Sequence, residues 1–227
     1  MKICLRYQQG IGQELGVSQA TVSRTVDRIV NSIVAQSNEW IKFPTTNHEL
    51  VEAKRIWQSM YKFPTAIGVI DCTHIGILKP NRHGNEYINR KGKPTLNVQV
   101  TCDAREMFTS VNVSWSGSVH DSRIWRNSQT ISQLINKANV VLFGDDGYCI
   151  EPCLMIPFRN PTPGAEINYN KLLKQERVII VRCFGRFPIL QYVCRVKLEN
   201  VPKIIIACIV LHNVAKSLGD PDFELVE

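Results

Sequence analysis

The chain contains two stretches in which apolar and polar side chains alternate, at residues 96–102 (LNVQVTC) and 109–115 (TSVNVSW). Successive side chains of a β-strand point to opposite faces, so this alternation predicts two strands, each with one buried face. Apolar, β-branched runs at 67–71 and 139–143 predict two more strands. Segments with helical periodicity join and follow the strands, at 121–135, 169–185 and 203–218. The pattern predicts a mixed α/β domain with flanking helices and leaves the strand order open.

The N-terminal part of the chain is predicted to be helical, with Gly16 breaking a first helix and Ser18 capping a second. Helix, tight turn and helix is the helix-turn-helix pattern. The second helix would expose polar side chains suited to phosphates and base edges: Gln19, Thr21, Ser23, Arg24 and Arg28. The alternative is a helical hairpin that packs on the main domain, and DNA binding is the favoured interpretation. We assign this module and its linking helices to residues 1–62, and the α/β domain to residues 63–227.

The charge of the chain favours an anionic partner such as DNA. Its net charge is +7, with a pI near 9.0. Basic residues concentrate in two segments, 79–93 and 171–203. Such segments suit nucleic-acid phosphates, although each is equally compatible with a solvated basic face.

Nothing in the sequence predicts a membrane or secreted protein. The charged N-terminus lacks the apolar run of a secretory signal, and no run reaches the roughly 18 to 20 apolar residues that span a bilayer. The eight cysteines are scattered and no pair has the C-x-x-C spacing of a zinc site, which predicts structural thiols. We therefore expect an intracellular protein without a zinc site.

Two predicted strands run into carboxylates, Asp71 at the end of the first and Asp145 just after the fourth. Two aspartates brought together by neighbouring strands would repel each other, and one pKa would rise. A divalent cation such as Mg²⁺, which prefers oxygen ligands, removes that conflict. The alternative is two unrelated surface turns, since Gly-Asp-Asp-Gly at 144–147 is also good turn chemistry.

Six blocks of sequence carry a resemblance to a known family. They occur in the order 68–75 (GVIDCTHI), 87–92 (YINRKG), 96–103 (LNVQVTCD), 117–124 (GSVHDSRI), 144–148 (GDDGY) and 207–213 (ACIVLHN). Together with the N-terminal module, they resemble the PIF/Harbinger transposases and their domesticated nuclease relatives over most of the chain.

This resemblance implies an RNase H-like fold and a DDE-type site that uses Mg²⁺ or Mn²⁺ to hydrolyse DNA phosphodiester bonds. The catalytic aspartates would be Asp71, which bridges two ions, and Asp145, which holds the ion that activates water. Asp121 would be a third metal ligand. The resemblance further implies a nuclear location, with the cytoplasm as the alternative, and DNA as partner. A separate DNA-binding partner protein is compatible with it, and the oligomeric state is left open.

The third carboxylate of the DDE pattern is missing, because the matching position is occupied by Val181. Glu176 lies five residues earlier, about 140° around the predicted helix, and so points elsewhere. Valine cannot coordinate a metal, so we expect a second ion to bind weakly or not at all. The alternative to a nuclease is therefore an inactive domesticated or decaying transposase that acts only as a DNA- or protein-binding module.

Overall fold

The computed structural model describes residues 2–61 and 63–220, and its centre is a mixed five-stranded sheet of order β3-β2-β1-β4-β5. The strands are β1 (Ala66–Gly76), β2 (Thr95–Cys102), β3 (Phe108–Ser116), β4 (Val141–Phe143) and β5 (Leu154–Met155). The first three pair antiparallel, whereas β4 runs parallel to β1, and β5 parallel to β4. The predicted mixed α/β class with an RNase H-like sheet is confirmed. Only β5 was not predicted, because two residues are too few to show a periodicity.

Eight α-helices accompany this sheet in the described residues. They are α1 (Lys2–Glu14), α2 (Gln19–Ala35), α3 (Ser37–Trp40), α4 (Asn47–Met60), α5 (Asp121–Arg126), α6 (Gln129–Ala138), α7 (Ala165–Gly185) and α8 (Val201–Ser217). The prediction of a single helix at 121–135 is wrong, because this segment forms two helices, α5 and α6. Asn127 Nδ2 donates to the Arg123 carbonyl and Ser128 Oγ donates to the Ile124 carbonyl, which ends α5.

The N-terminal helices form as the sequence predicts. Ser18 caps α2, with its hydroxyl accepting the Thr21 backbone N–H at 3.2 Å. Gly16 has φ +65°, a conformation that glycine adopts without strain. Helix α2 then packs against α8, and α4 packs against β1. The boundary at residues 62/63 stays a prediction.

Helix α8 connects the core with the N-terminal helices through one buried amide. Asn213 Oδ1 accepts the Phe108 backbone N–H at 2.8 Å, and Asn213 Nδ2 donates to the carbonyls of Phe108 and Trp40 at 2.7 Å. The segment Leu198–Ser217 is long and apolar enough to cross a membrane by length and composition. However, Val201, Ile205 and Ile209 on this helix are buried in the main core, which is the packing of a core helix.

Gly117 lies where the chain leaving β3 crosses the start of β2. Its N–H donates to the Thr95 carbonyl at 2.9 Å. A Cβ at this position would lie 2.1 Å from Thr95 Oγ1 and 2.5 Å from the Tyr87 carbonyl oxygen. The glycine therefore permits a close backbone approach that no other residue allows.

We predict that Gly117→Ala destabilises the protein by about 3 kcal/mol, because two of the clashing atoms are backbone carbonyl oxygens that cannot rotate away. Urea denaturation measures the change. Gly185→Ala is the control, since its Cβ would meet nothing nearer than Gln191 Nε2 at 3.8 Å. Equal stability of the two variants would contradict the prediction.

Candidate metal centre

The parallel pairing of β1 and β4 places Asp71 and Asp145 side by side. Val69 of β1 is paired with Phe143 of β4, and each aspartate lies two residues further along its chain. The expectation that Asp71 ends its strand is wrong. Strand β1 continues to Gly76, because it pairs with β2 along this whole stretch, with Asp71 opposite Val100.

Asp121 joins the two aspartates from the start of α5. Asn97 of β2 orients it, with Nδ2 donating to Asp121 Oδ1 and to the Val119 carbonyl, both at 2.8 Å. A Cβ on Gly147 would lie 2.9 Å from Asp121 Oδ2 and 3.0 Å from Asp145 Oδ1. The two carboxylates therefore converge on one point, and the glycine leaves the space between them open.

Arg177 of α7 supplies a positive charge inside this acidic group. Its Nη2 lies 3.6 Å from Asp71 Oδ1, and the two side chains are only 19% and 20% exposed. Arg177 Nε is buried and has no hydrogen-bond partner. Burying a guanidinium with one N–H unsatisfied costs free energy. The negative charge of the nearby aspartates offsets part of that cost.

Asp71 and Asp145 hold their protons more tightly than exposed carboxylates do. Burial raises the pKa of Asp71 to about 6, while Arg177 acts in the opposite direction, and Asp145 and Asp121 raise it further. Burial also raises the pKa of Asp145, again against Arg177. The pKa of an aspartate is therefore raised, as expected for two aspartates on neighbouring strands. Desolvation is the main cause, and the repulsion between the carboxylates is a smaller one.

A buried polar network supports the floor of the site. Tyr148 Oη lies 3.2 Å from the Cys72 thiol and accepts a hydrogen bond from Gln99 Nε2 at 3.4 Å. Ser128 Oγ donates to Gln99 Oε1 at 3.0 Å. Because Cys72 follows Asp71 and Tyr148 closes the turn after Asp145, this network fixes both aspartate backbones relative to β2.

Val181 and Glu176 lie on different faces of α7 and differ in exposure. Val181 is 64% exposed and lies one turn after Arg177, about 40° around α7. Helical side chains lean towards the N-terminus, so a carboxylate at 181 would extend towards the level of Arg177. Glu176 is buried and accepts the Trp57 indole N–H at 3.0 Å, so it faces away from the aspartates.

The residues present have the oxygen chemistry that Mg²⁺ and Mn²⁺ prefer. They are not arranged as a finished cage: within 2–61 and 63–220, no group of three or more His, Cys, Asp or Glu side chains is placed to hold a metal ion. Asp71 points to Arg177, while Asp121 and Asp145 flank Gly147. Asp71 would have to turn away from Arg177 before the three aspartates could hold one divalent ion together.

The other predicted site residues lie on α2, outside this sheet edge. Arg24 and Arg28 are exposed, as expected for side chains that contact DNA. Gln19, Thr21 and Ser23 are half-buried, and the Thr21 hydroxyl lies 2.9 Å from the Ser18 hydroxyl within the cap. Their DNA contacts stay predictions. Sequence reasoning missed Arg177, Asn97 and Gly147; the spacing of four residues between Arg177 and Val181 was the one signal available for the first of them.

Comparison with known proteins places these observations in a family. Residues 70–213 match the model described as DDE superfamily endonuclease. The bovine protein named "Putative nuclease HARBI1" is 31% identical over 94% of this chain, and the human protein of that name is 30% identical over the same share. "Protein ALP1-like" of Arabidopsis thaliana is 25% identical over 92% of the chain.

The chain spans 64% of the length of these bovine and human relatives and 57% of the Arabidopsis protein. No solved structure matches the chain significantly.

We predict that Asp71→Asn stabilises the metal-free protein at neutral pH and not in acid. Because the folded pKa of about 6 exceeds the ordinary 3.8, the folded state is penalised as pH rises from 3.8 through 6. Above that range the penalty is roughly 3 kcal/mol, and below it the penalty vanishes. Urea denaturation in EDTA at about pH 7.5 and pH 4 measures it.

The exposed Asp27→Asn on α2 is the matched control and should change stability little at either pH. A gain from Asp71→Asn that is the same at both pH values would refute the prediction.

Proposed function

The chain belongs to the DDE superfamily endonuclease family, and from this premise we propose that it hydrolyses phosphodiester bonds in DNA with one divalent cation, Mg²⁺ or Mn²⁺. The observation that carries the proposal is that Asp71, Asp145 and Asp121 lie within electrostatic range of one another, at the edge where β1 and β4 run parallel. Phosphoryl-transfer sites hold cations with carboxylates that lie close together despite their mutual repulsion.

In this proposal Asp71 and Asp145 are the principal ligands and Asp121, oriented by Asn97, completes the set. A bound divalent ion supplies neutralisation of phosphate charge and activation of the attacking water. Arg177 pairs with Asp71, and a guanidinium freed from that pair would be able to donate to a phosphate oxygen. The network of Tyr148, Cys72 and Gln99 keeps the aspartate backbones fixed.

Val181 limits this chemistry to a single well-held ion. Without the third carboxylate, a second ion lacks a ligand on α7, and cleavage should be much slower than in a site with all three. The second candidate function is therefore a non-catalytic DNA- or protein-binding module. Two observations favour it: Val181 itself, and the ion pair that Arg177 makes with Asp71.

We further propose that α2 contacts DNA through Arg24 and Arg28 and its neighbouring polar side chains, with a nuclear location following from a DNA substrate. A separate DNA-binding partner protein is compatible with this proposal.

We predict that Val181→Glu increases plasmid cleavage in Mn²⁺ by at least about tenfold, because it restores a carboxylate on the helix face of Arg177. Gln175→Glu is the control, since it adds the same charge at an exposed position on another face of α7. Gel-resolved conversion of supercoiled plasmid measures the rate.

Asp71→Ala distinguishes the two candidate functions. Cleavage by the unaltered chain that disappears in Asp71→Ala supports the nuclease. If neither the unaltered chain nor Val181→Glu cleaves, the nuclease proposal is wrong and the binding module remains.

We predict that Arg177→Met tightens Mn²⁺ binding by about tenfold, because the cation no longer competes with a guanidinium for Asp71. Electron paramagnetic resonance of unbound Mn²⁺ gives the dissociation constant without any need for turnover. Lys174→Met removes the same charge from an exposed position of α7 and should leave the affinity unchanged. Equal effects of the two variants would show that only net charge matters.

A further inference from the structure

The two basic segments of the sequence differ in how their charges are used. In 171–203, half of the basic side chains are committed to ion pairs: Arg177 with Asp71, Arg182 with Glu106, Arg186 with Asp220 and Lys197 with Glu199. In the loop between β1 and β2, Arg90, Lys91 and Lys93 are all exposed. None of these three has a carboxylate partner among the described ion pairs.

This part of the loop, residues 89–93, which we call the basic loop, is held in one conformation. Asn89 is 9% exposed, and its Oδ1 accepts the backbone N–H groups of Lys91 and Lys93 at 2.9 and 3.1 Å. The backbone of Asn89 bonds to Lys93 and Gly92, each at 2.9 Å, and Gly92 has φ +72°. Three cationic side chains are therefore presented from a rigid turn, so little backbone entropy is lost when they bind a partner.

The loop between β1 and β2, just before the basic loop, packs against the segment that precedes Asp121. Ser118 N–H donates to the Glu86 carbonyl at 3.2 Å, and the Tyr87 carbonyl oxygen lies against Gly117. Three residues further along the chain, Asp121 begins α5. The basic loop and one of the three site aspartates thus sit on a single packed unit.

His74 experiences charges from both the basic loop and the acidic site. It lies on β1 opposite Asn97, the residue that orients Asp121, and its Nδ1 is 3.0 Å from Thr95 Oγ1. Burial lowers the pKa of His74, Arg90 and Lys91 lower it further, and Asp121 acts in the opposite direction. His74 is therefore within electrostatic range of both the basic loop and the acidic site.

We propose that the basic loop binds backbone phosphates of the DNA whose scissile phosphate lies at the aspartates, with Arg90 and Lys91 as the contacts. The proposal rests on the proposed function for its substrate. Cations fixed beside an acidic cluster suit a polyanion that must be anchored next to carboxylates that repel it. From Asp71 to the end of β1 the chain covers roughly 17 Å, about five base pairs of duplex. The loop therefore contacts phosphates away from the reacting one.

The test compares the salt dependence of DNA binding for the full chain and Arg90→Gln/Lys91→Gln. Fluorescence anisotropy with a labelled duplex in EDTA avoids cleavage. Loss of two phosphate contacts should reduce the slope of log affinity against log salt by about 1.8, so that the fall in affinity between roughly 50 and 200 mM salt becomes about tenfold smaller. Thermal unfolding of the variant checks that the fold is retained.

Arg105→Gln/Lys203→Gln is the matched control. It also removes two exposed basic charges, one from the turn at the far end of β2 and one from α8, and neither side chain is in a described ion pair. An unchanged slope in the basic-loop variant, or an equal change in the control, overturns the assignment of the loop while leaving the nuclease proposal standing. If the unaltered chain binds no duplex at any salt concentration, DNA itself is the wrong substrate and both proposals fail.

Discussion

The parallel pairing of β1 with β4 is the constraint on which the candidate site depends. It sets Val69 against Phe143, and two residues later it leaves Asp71 and Asp145 beside each other in partly desolvated surroundings. Nearby residues reduce the repulsion between these carboxylates. Asn97 orients Asp121, Gly147 leaves space between Asp121 and Asp145, and Arg177 supplies a positive charge. Repulsion alone would favour separation, so the sheet register, fixed by buried apolar side chains, keeps the acids together.

Arg177 bears on Val181, the position where the family resemblance predicts a carboxylate. A site that had lost only one ligand would be weaker for metal and otherwise open. Here a guanidinium already lies 3.6 Å from Asp71, so a cation that bound Asp71 would have to displace this internal partner first. Which of the two proposed functions the chain performs therefore depends on whether a divalent ion or Arg177 binds the carboxylate of Asp71. That competition is local and does not require any change in the fold.

Strand alternation gave β2 and β3 nearly to the residue, and the cap at Ser18 and the helix α7 were also predicted correctly. The predictions failed where neighbouring elements decide the outcome. Strand β1 extends past Asp71 because β2 offers hydrogen-bond partners as far as Gly76. The helix after Asp121 is interrupted because Asn127 and Ser128 bond back to its last carbonyls. Strand β5 is too short to have any pattern of its own.

The sequence by itself determined which residues are chemically able to act: three aspartates after or near apolar strands, and a valine where the pattern requires a carboxylate. Those are properties of residue type and spacing. Only the tertiary structure decided which charges meet. Half of the basic side chains in 171–203 are paired internally, whereas Arg90 and Lys91 are exposed and have no carboxylate partner among the described ion pairs. Electrostatic energy depends on distance and burial in space, and neither can be read from positions along the chain.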